Sequence, residues 1–161
     1  VTFVAEYYIR VFETSTALAN TALSVMLFAG GAGTLLLGPL ADRVRRRAVL
    51  VGSMLLLSPL IFVFTFSGPL SGMVLLAFVG AATIGTFGVT VVMGQEYLPG
   101  RIGTAAGITL GFSIGLGGVG APMFGAIADN YGLPAMMLTL AVLPILGLAL
   151  ALSLPRRPGF S

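Results

Sequence analysis

The residues able to do chemistry are few, and their spacing limits what they can do. Gly111-Phe112-Ser113-Ile114-Gly115 has the G-x-S-x-G spacing that sets a nucleophilic serine on a sharp turn. Such a serine needs a general base, usually histidine, and the chain has no His. Gly115-Leu116-Gly117-Gly118-Val119-Gly120 has the G-x-G-x-x-G spacing of a phosphate-cradling turn, which requires a strand before it and a helix start after it. Both patterns lie inside residues 102–128, 27 in a row without a charge, which reads as a membrane helix. The chain has no Cys, so disulfides, thiol chemistry and cysteine metal sites are excluded. Without His, histidine triads and histidine-ligated zinc are excluded too. No enzyme, metal or cofactor chemistry is expected.

The remaining chemistry is ionic. Glu6 and Arg10 are spaced i, i+4 with the acid first, the order that favours a helix ion pair. Phe3, Tyr7, Tyr8 and Phe12 surround them, either as an interfacial aromatic belt or as the mouth of a cavity. Asp42 directly precedes Arg43, Arg45, Arg46 and Arg47. Glu96 sits beside Gln95 at the edge of an uncharged stretch, where an Arg partner from neighbouring loops is expected ahead of proton carriage. No acid lies in the middle of a complete uncharged stretch, although intramembrane acids are the usual proton relays. Thr83, Thr86, Thr90 and Met93 recur at helical spacing and, with Asn20, are candidates to line a cavity. Helical Thr hydroxyls also bond back to their own helix, so both readings of the threonines stay open.

The elements that must carry these residues follow from where charge is missing. Only 8% of the 161 residues are charged, against roughly 25% in soluble domains, and 57% are hydrophobic. Mean hydropathy is +1.08. Soluble enzymes, nucleic-acid binders and disordered tails are thereby excluded. The uncharged stretches are 14–41, 48–95, 102–128 and 130–155. A helical span needs about 20 apolar residues, so 48–95 holds two, divided by Ser67-Gly68-Pro69 and Ser71-Gly72. The spans predicted are 17–41, 48–66, 70–95, 102–128 and 133–154. Residues 1–12 read as the tail of a further span, and 155–161 as a terminal tail. Arg43, Arg45, Arg46, Arg47, Arg101, Arg156 and Arg157 fall on one side of the membrane and only Arg10 on the other. The arginine-rich side, with the C-terminus, is expected to be cytoplasmic.

Displaced by 87 residues, the sequence matches itself: Gly30-Gly31-Ala32-Gly33 lies over Gly117-Gly118-Val119-Gly120. Gly38 likewise lies over Gly125, Ala41 over Ala128 and Asp42 over Asp129. Three spans separate the copies, so they cross in opposite directions, an inverted-topology repeat typical of secondary transporters. Gly103, Gly107, Gly111 and Gly115 recur every four residues along one drifting helix face, as expected of a close helix–helix contact. Pro59, Pro122 and Pro144 fall inside spans and predict kinks.

Gly38-Pro39-Leu40-Ala41-Asp42-Arg43-Val44-Arg45-Arg46-Arg47 resembles the G-x-L-A-D-R-x-G-R-R/K loop of the major facilitator superfamily, with Arg45 in place of the second glycine. Glu96 to Gly107 resembles the loop before that family's eleventh helix, and Gly125 to Gly132 the end of that helix. Val91 to Pro99 and the glycine-rich helix after it look most like the fosmidomycin-resistance type of drug-efflux transporter. The resemblance implies an all-α polytopic membrane protein, a half with 3+3 inverted helix repeats: the tail of helix seven, then helices eight to twelve. It implies an N-terminal six-helix half of the same polypeptide as partner, the lipid bilayer as environment, and no nucleic acid. It also implies a cell inner membrane location and alternating access around a small-molecule substrate. Proton-coupled export is the leading reading, with uptake of a sugar, organic anion or nutrient, or a non-transporting six-helix scaffold, as alternatives. Gly38, Asp42, Arg43, Arg46, Arg47, Glu96 and Arg101 are the implied gating residues; the reading frame upstream of Val1 is expected to continue.

Overall fold

The computed structural model describes residues 2–98 and 100–153, which form six helices and no strand. They are α1 (Thr2–Arg10), α2 (Thr16–Arg43), α3 (Arg46–Thr65), α4 (Pro69–Tyr97), α5 (Ile102–Tyr131) and α6 (Leu133–Ser153). Five of them, α2 to α6, are long and apolar enough to cross a membrane. Arg156, Arg157 and the expected tail 155–161 lie outside the described residues.

The helices stop where their end groups find partners, which is later than where hydropathy falls. α2 starts after Ser15, whose Oγ accepts from Leu18 N at 3.3 Å, and runs past the apolar stretch through Asp42 and Arg43. α4 starts at Pro69, with the Gly68 amide donating to Ser71 Oγ at 3.0 Å. α5 ends at Gly132, which adopts φ 87° and donates its amide to Ala128 O. A side chain rarely takes that backbone, so glycine is the natural residue there.

Two helix pairs hold the fold. α2 and α4 run parallel in close contact: Met26 meets Gly80, Gly30 meets Ile84 and Thr34 meets Gly88. A Cβ on Gly33 would lie 2.5 Å from Ala81 O, and one on Gly85 would lie 2.8 Å from the Gly33 carbonyl. Only glycine lets the backbones approach so closely. α3 and α6 run antiparallel, joined at three levels. Arg47 donates from Nε to Ala151 O and from an Nη to Leu152 O; Met54 Sδ lies against Gly147; Ser58 Oγ donates to Ala141 O at 2.7 Å. Ala141 follows Leu140, whose carbonyl loses its amide partner at Pro144.

At the end opposite the arginines, Tyr7, Tyr8, Phe12 and Phe64 form an aromatic knot around Gly72. Tyr7 Oη donates to Thr65 O and Tyr8 Oη to Pro69 O, each at 2.8 Å. α1 is thereby pinned to the turn between α3 and α4. α5 is the least enclosed span, with only Ala105 fully buried among its described residues.

The helix boundaries repeat with the sequence. Shifted by 87 residues, α2 falls on 103–130 where α5 is 102–131, and α3 falls on 133–152 where α6 is 133–153. α1 falls on 89–97, the last nine residues of α4. The fold is an all-α membrane half of two related three-helix units.

Candidate functional site

Asp42, Glu96 and the described arginines other than Arg10 lie at one end of the bundle. Arg46 and Arg47 open α3, where the helix dipole disfavours cations. Asp42, on the last turn of α2, accepts from Arg46 Nη2 at 2.8 Å, and Glu96, near the end of α4, pairs with Arg46 Nη1. One guanidinium thus ties the ends of α2 and α4 to the start of α3. Arg47 points the other way and caps the carbonyl end of α6, where a cation is favoured. Asp42 accepting from Arg46 is the largest influence on that guanidinium, but both acids are well exposed. Exposed pairs contribute about 0–1 kcal/mol each. Such ties position helix ends and remain easy to break.

Several expected site residues sit as the spacing suggested. Glu6 and Arg10 form an i, i+4 ion pair at 2.9 Å, and Glu96 has its arginine partner. Arg43 and Arg101 are exposed and have no side-chain partner among the described residues; Asn20 is exposed on α2 and Gly38 is half-buried.

Other expectations need correction. Tyr7 does not line a cavity: its side chain is fully buried and its hydroxyl is spent on Thr65 O. Adjacent helix positions point about 100° apart, so α1 turns Glu6 outward as it turns Tyr7 inward. The three threonines do not share one open face. Thr83 is exposed, Thr86 is buried, and Thr90 donates its hydroxyl to Thr86 O at 3.0 Å. α4 packs against α2, α3 and α5, and Thr86 falls on the packed side while Thr83 does not. Thr86 Oγ1 is buried without a hydrogen-bond partner. The close helix contact expected at Gly103, Gly107, Gly111 and Gly115 is a separate matter: a Cβ on any of them meets nothing within 4 Å, so its partner is not among the described helices. The glycines in the closest helix–helix contact are Gly30, Gly33, Gly80 and Gly85 of the α2–α4 pair, with Gly94 against Thr109. Gly30 and Gly33 stood out only as part of the repeat, and Gly80, Gly85 and Gly94 carried no signal beyond being small.

A groove of about 660 Å³ lies between α3 and α4, lined by Phe62, Val63, Phe66, Ser67, Ser71, Val74 and Leu75, and none of the expected site residues reaches it. Among the described residues no cluster of acids can hold a metal ion.

Residues 1–160 match the profile of the Major Facilitator Superfamily. The chain belongs to the major facilitator superfamily. It is 42% identical over 153 residues to the Uncharacterized MFS-type transporter YfnC of Bacillus subtilis (strain 168), covering 95% of this chain and 37% of that protein. It is 36% identical over 142 residues to the Fosmidomycin resistance protein of Escherichia coli (strain K12), covering 88% of this chain and 35% of that protein. The chain therefore spans little more than a third of the length of these curated relatives. No solved structure matches it significantly. As a superfamily member with five spans, it is a multi-pass membrane protein.

Proposed function

We propose that this chain is the C-terminal half of a secondary transporter that exports a small organic molecule across the cell's inner membrane by alternating access, in exchange for protons. The reading takes residues 1–12 as the end of helix seven and the following spans as helices eight to twelve, with the C-terminus cytoplasmic. Its partner is an N-terminal six-helix half of the same polypeptide. Export is favoured over import by the relative named as a fosmidomycin resistance protein.

The observation that carries the proposal is the asymmetry laid over the repeat. Two three-helix units related by inversion have no inherent inside or outside. Here only one copy of the loop is fastened, through Asp42, Arg46 and Glu96. The positions 87 residues after Asp42, Arg46 and Arg47 are Asp129, Leu133 and Pro134, which repeat the acid but not the cations. Weak, exposed pairs at one end can bias two conformations by the small free energies that a transport cycle needs. The complete spans hold no central acid, so proton binding is assigned to the partner half.

The test expresses the complete reading frame in cells stripped of efflux transporters and measures retained fosmidomycin. Export predicts lower retention that disappears when a protonophore collapses the gradient. Higher retention than in empty-vector cells identifies an importer. Unchanged retention of fosmidomycin and of a panel of sugars and organic anions, with the protein in the membrane, supports the scaffold reading instead.

A further inference from the structure

α5 is anchored at both ends and bare in the middle. Near its start, Thr109 lies against Gly94 of α4. Near its end, Phe124, Ile127 and Ala128 pack against the core cluster, which includes Leu133, Met136 and Met137 of α6 as well as Val4, Tyr7 and Tyr8 of α1. Between these anchors every residue from Leu110 to Val119 is exposed. The uncovered side includes Ser113 and Gly117, with Gly120 half-buried at its edge, and the three continue the line of Thr109, Phe124 and Ile127 at steps of three and four residues.

The molecule contains a second copy of this surface with its occupant in place. By the 87-residue repeat, Ser113, Gly117 and Gly120 correspond to Met26, Gly30 and Gly33 of α2. All three of those are buried, seated against Gly80, Ala81, Ile84 and Gly85 of α4. α4 is in turn the repeat counterpart of α1. Only its last nine residues, 89–97, have equivalents in α1; the part that covers α2 corresponds to positions upstream of Val1. Leu37 and Ala41 pack with Val89 and Met93 at the end of α4; their counterparts Phe124 and Ala128 pack on the large core cluster, to which α1 contributes Val4, Tyr7 and Tyr8 alongside residues of α2, α3, α4 and α6.

We infer that Ser113, Gly117 and Gly120 are the seat of a membrane helix that continues α1 upstream of Thr2 in the same polypeptide. The occupant runs parallel to α5, as α4 runs parallel to α2. Its backbone approaches most closely at Gly117 and Gly120, where no side chain intervenes. The register follows from the repeat. Gly117 meets the residue four places upstream of Val1, the counterpart of Ile84, and Ser113 meets the residue eight places upstream, the counterpart of Gly80. Gly115, two residues from Gly117, lies on the far side of α5 and belongs to a different surface. The inference concerns packing alone and holds for an exporter, an importer or a scaffold.

The test is disulfide cross-linking in the complete protein, with any cysteines outside these residues replaced, since residues 1–161 contain none. A cysteine four places upstream of Val1 is combined with Gly117→Cys or with Gly115→Cys, and mass spectrometry identifies joined peptides. Near-complete linkage is expected for Gly117→Cys and none for Gly115→Cys, because a disulfide needs Cα atoms within about 7 Å. Ser113→Cys with a cysteine eight places upstream repeats the test with a nearly isosteric change, guarding against loss of fold at Gly117. Equal linkage at Gly115 and Gly117 would overturn the register. So would linkage only between two copies of the protein, or no linkage at Gly117 and Ser113 in protein that reaches the membrane folded; that last result leaves lipid or another helix as occupant.

Discussion

Gly33→Ala is the sharpest probe of the α2–α4 contact. The added Cβ would lie 2.5 Å from Ala81 O and 2.6 Å from Ala81 Cα. Carbon and carbonyl oxygen normally approach no nearer than about 3.3 Å across a helix interface, so the helices must separate locally by roughly 1 Å. Both obstructing atoms are backbone, and no rotamer change relieves them. Overpacking of this kind costs about 1–3 kcal/mol. A gap of that width also weakens neighbouring dispersion contacts by roughly a quarter to a half. Alanine offsets part of the loss, since replacing a helical glycine contributes about 0.5–1 kcal/mol. Gly31→Ala isolates that second term: it lies two residues away on the same helix, and its Cβ meets nothing within 4 Å. The propensity gain cancels in the comparison, leaving Gly33→Ala less stable than Gly31→Ala by about 1–3 kcal/mol. The assay is the apparent melting temperature of each variant of the complete protein, purified in the same mild detergent. A Gly33→Ala variant that melts with or above Gly31→Ala would refute the steric argument and the close approach behind it.

Other substitutions test other contacts. Arg47→Lys keeps the charge but loses the two-pronged grip on Ala151 O and Leu152 O, so hydrogen exchange at the end of α6 should rise, and rise further in Arg47→Ala, with a stability loss of about 1 kcal/mol. Tyr7→Phe should cost about 0.5–1.5 kcal/mol of stability by leaving Thr65 O unpaired in a buried site, with no specific effect on transport KM. Asp42→Asn should slow transport without blocking membrane insertion, while Asp129→Asn, which has no ion pair to lose, should be milder; equal rates measured in matched vesicles would leave Asp42 a solvated end residue. Gly111→Leu should leave the contacts within this half intact, because nothing lies within 4 Å of its Cβ, so any loss of transport at matched membrane levels must arise from a surface outside these helices.

The fold was legible because lipid imposes a simple rule. A chain that must satisfy its backbone without water forms long helices, and charges mark where they surface. The ends were less legible, since α2 runs on through Asp42 and Arg43, and α5 through Asp129 to Tyr131, until a cap or a glycine stops them. The repeat was visible because its aspartates align as well as its glycines. Which face meets which helix was not visible. The four-residue spacing of Gly103 to Gly115 shows that a helix could come close there, but spacing does not name the neighbour, and within this half none is present. Tyr7 was misplaced for a related reason: its partner, Thr65 O, is 58 residues away, and nothing local distinguishes it from Glu6 beside it. The Arg46–Glu96 pair was foreseeable in kind because an acid at a membrane edge needs a cation, whereas Arg47 reaching the end of α6 had no sequence signal at all.

That long reach has a consequence for how the protein is made. Arg47 and its acceptor Leu152 are 105 residues apart, and Ser58 and Ala141 are 83 apart. At roughly 5–20 residues per second, α3 is in the membrane for seconds to some twenty seconds before α6 is synthesised. During that interval the Ser58 hydroxyl has no Ala141 carbonyl to meet and the Arg47 guanidinium has no helix end to cap. Until then α4 is the neighbour on which α3 packs, and α4 is itself held against α2. The arrival of α6 is the event that satisfies these groups of α3, so a chain stopped between the two helices carries an arginine and a serine without the partners they have in the finished bundle.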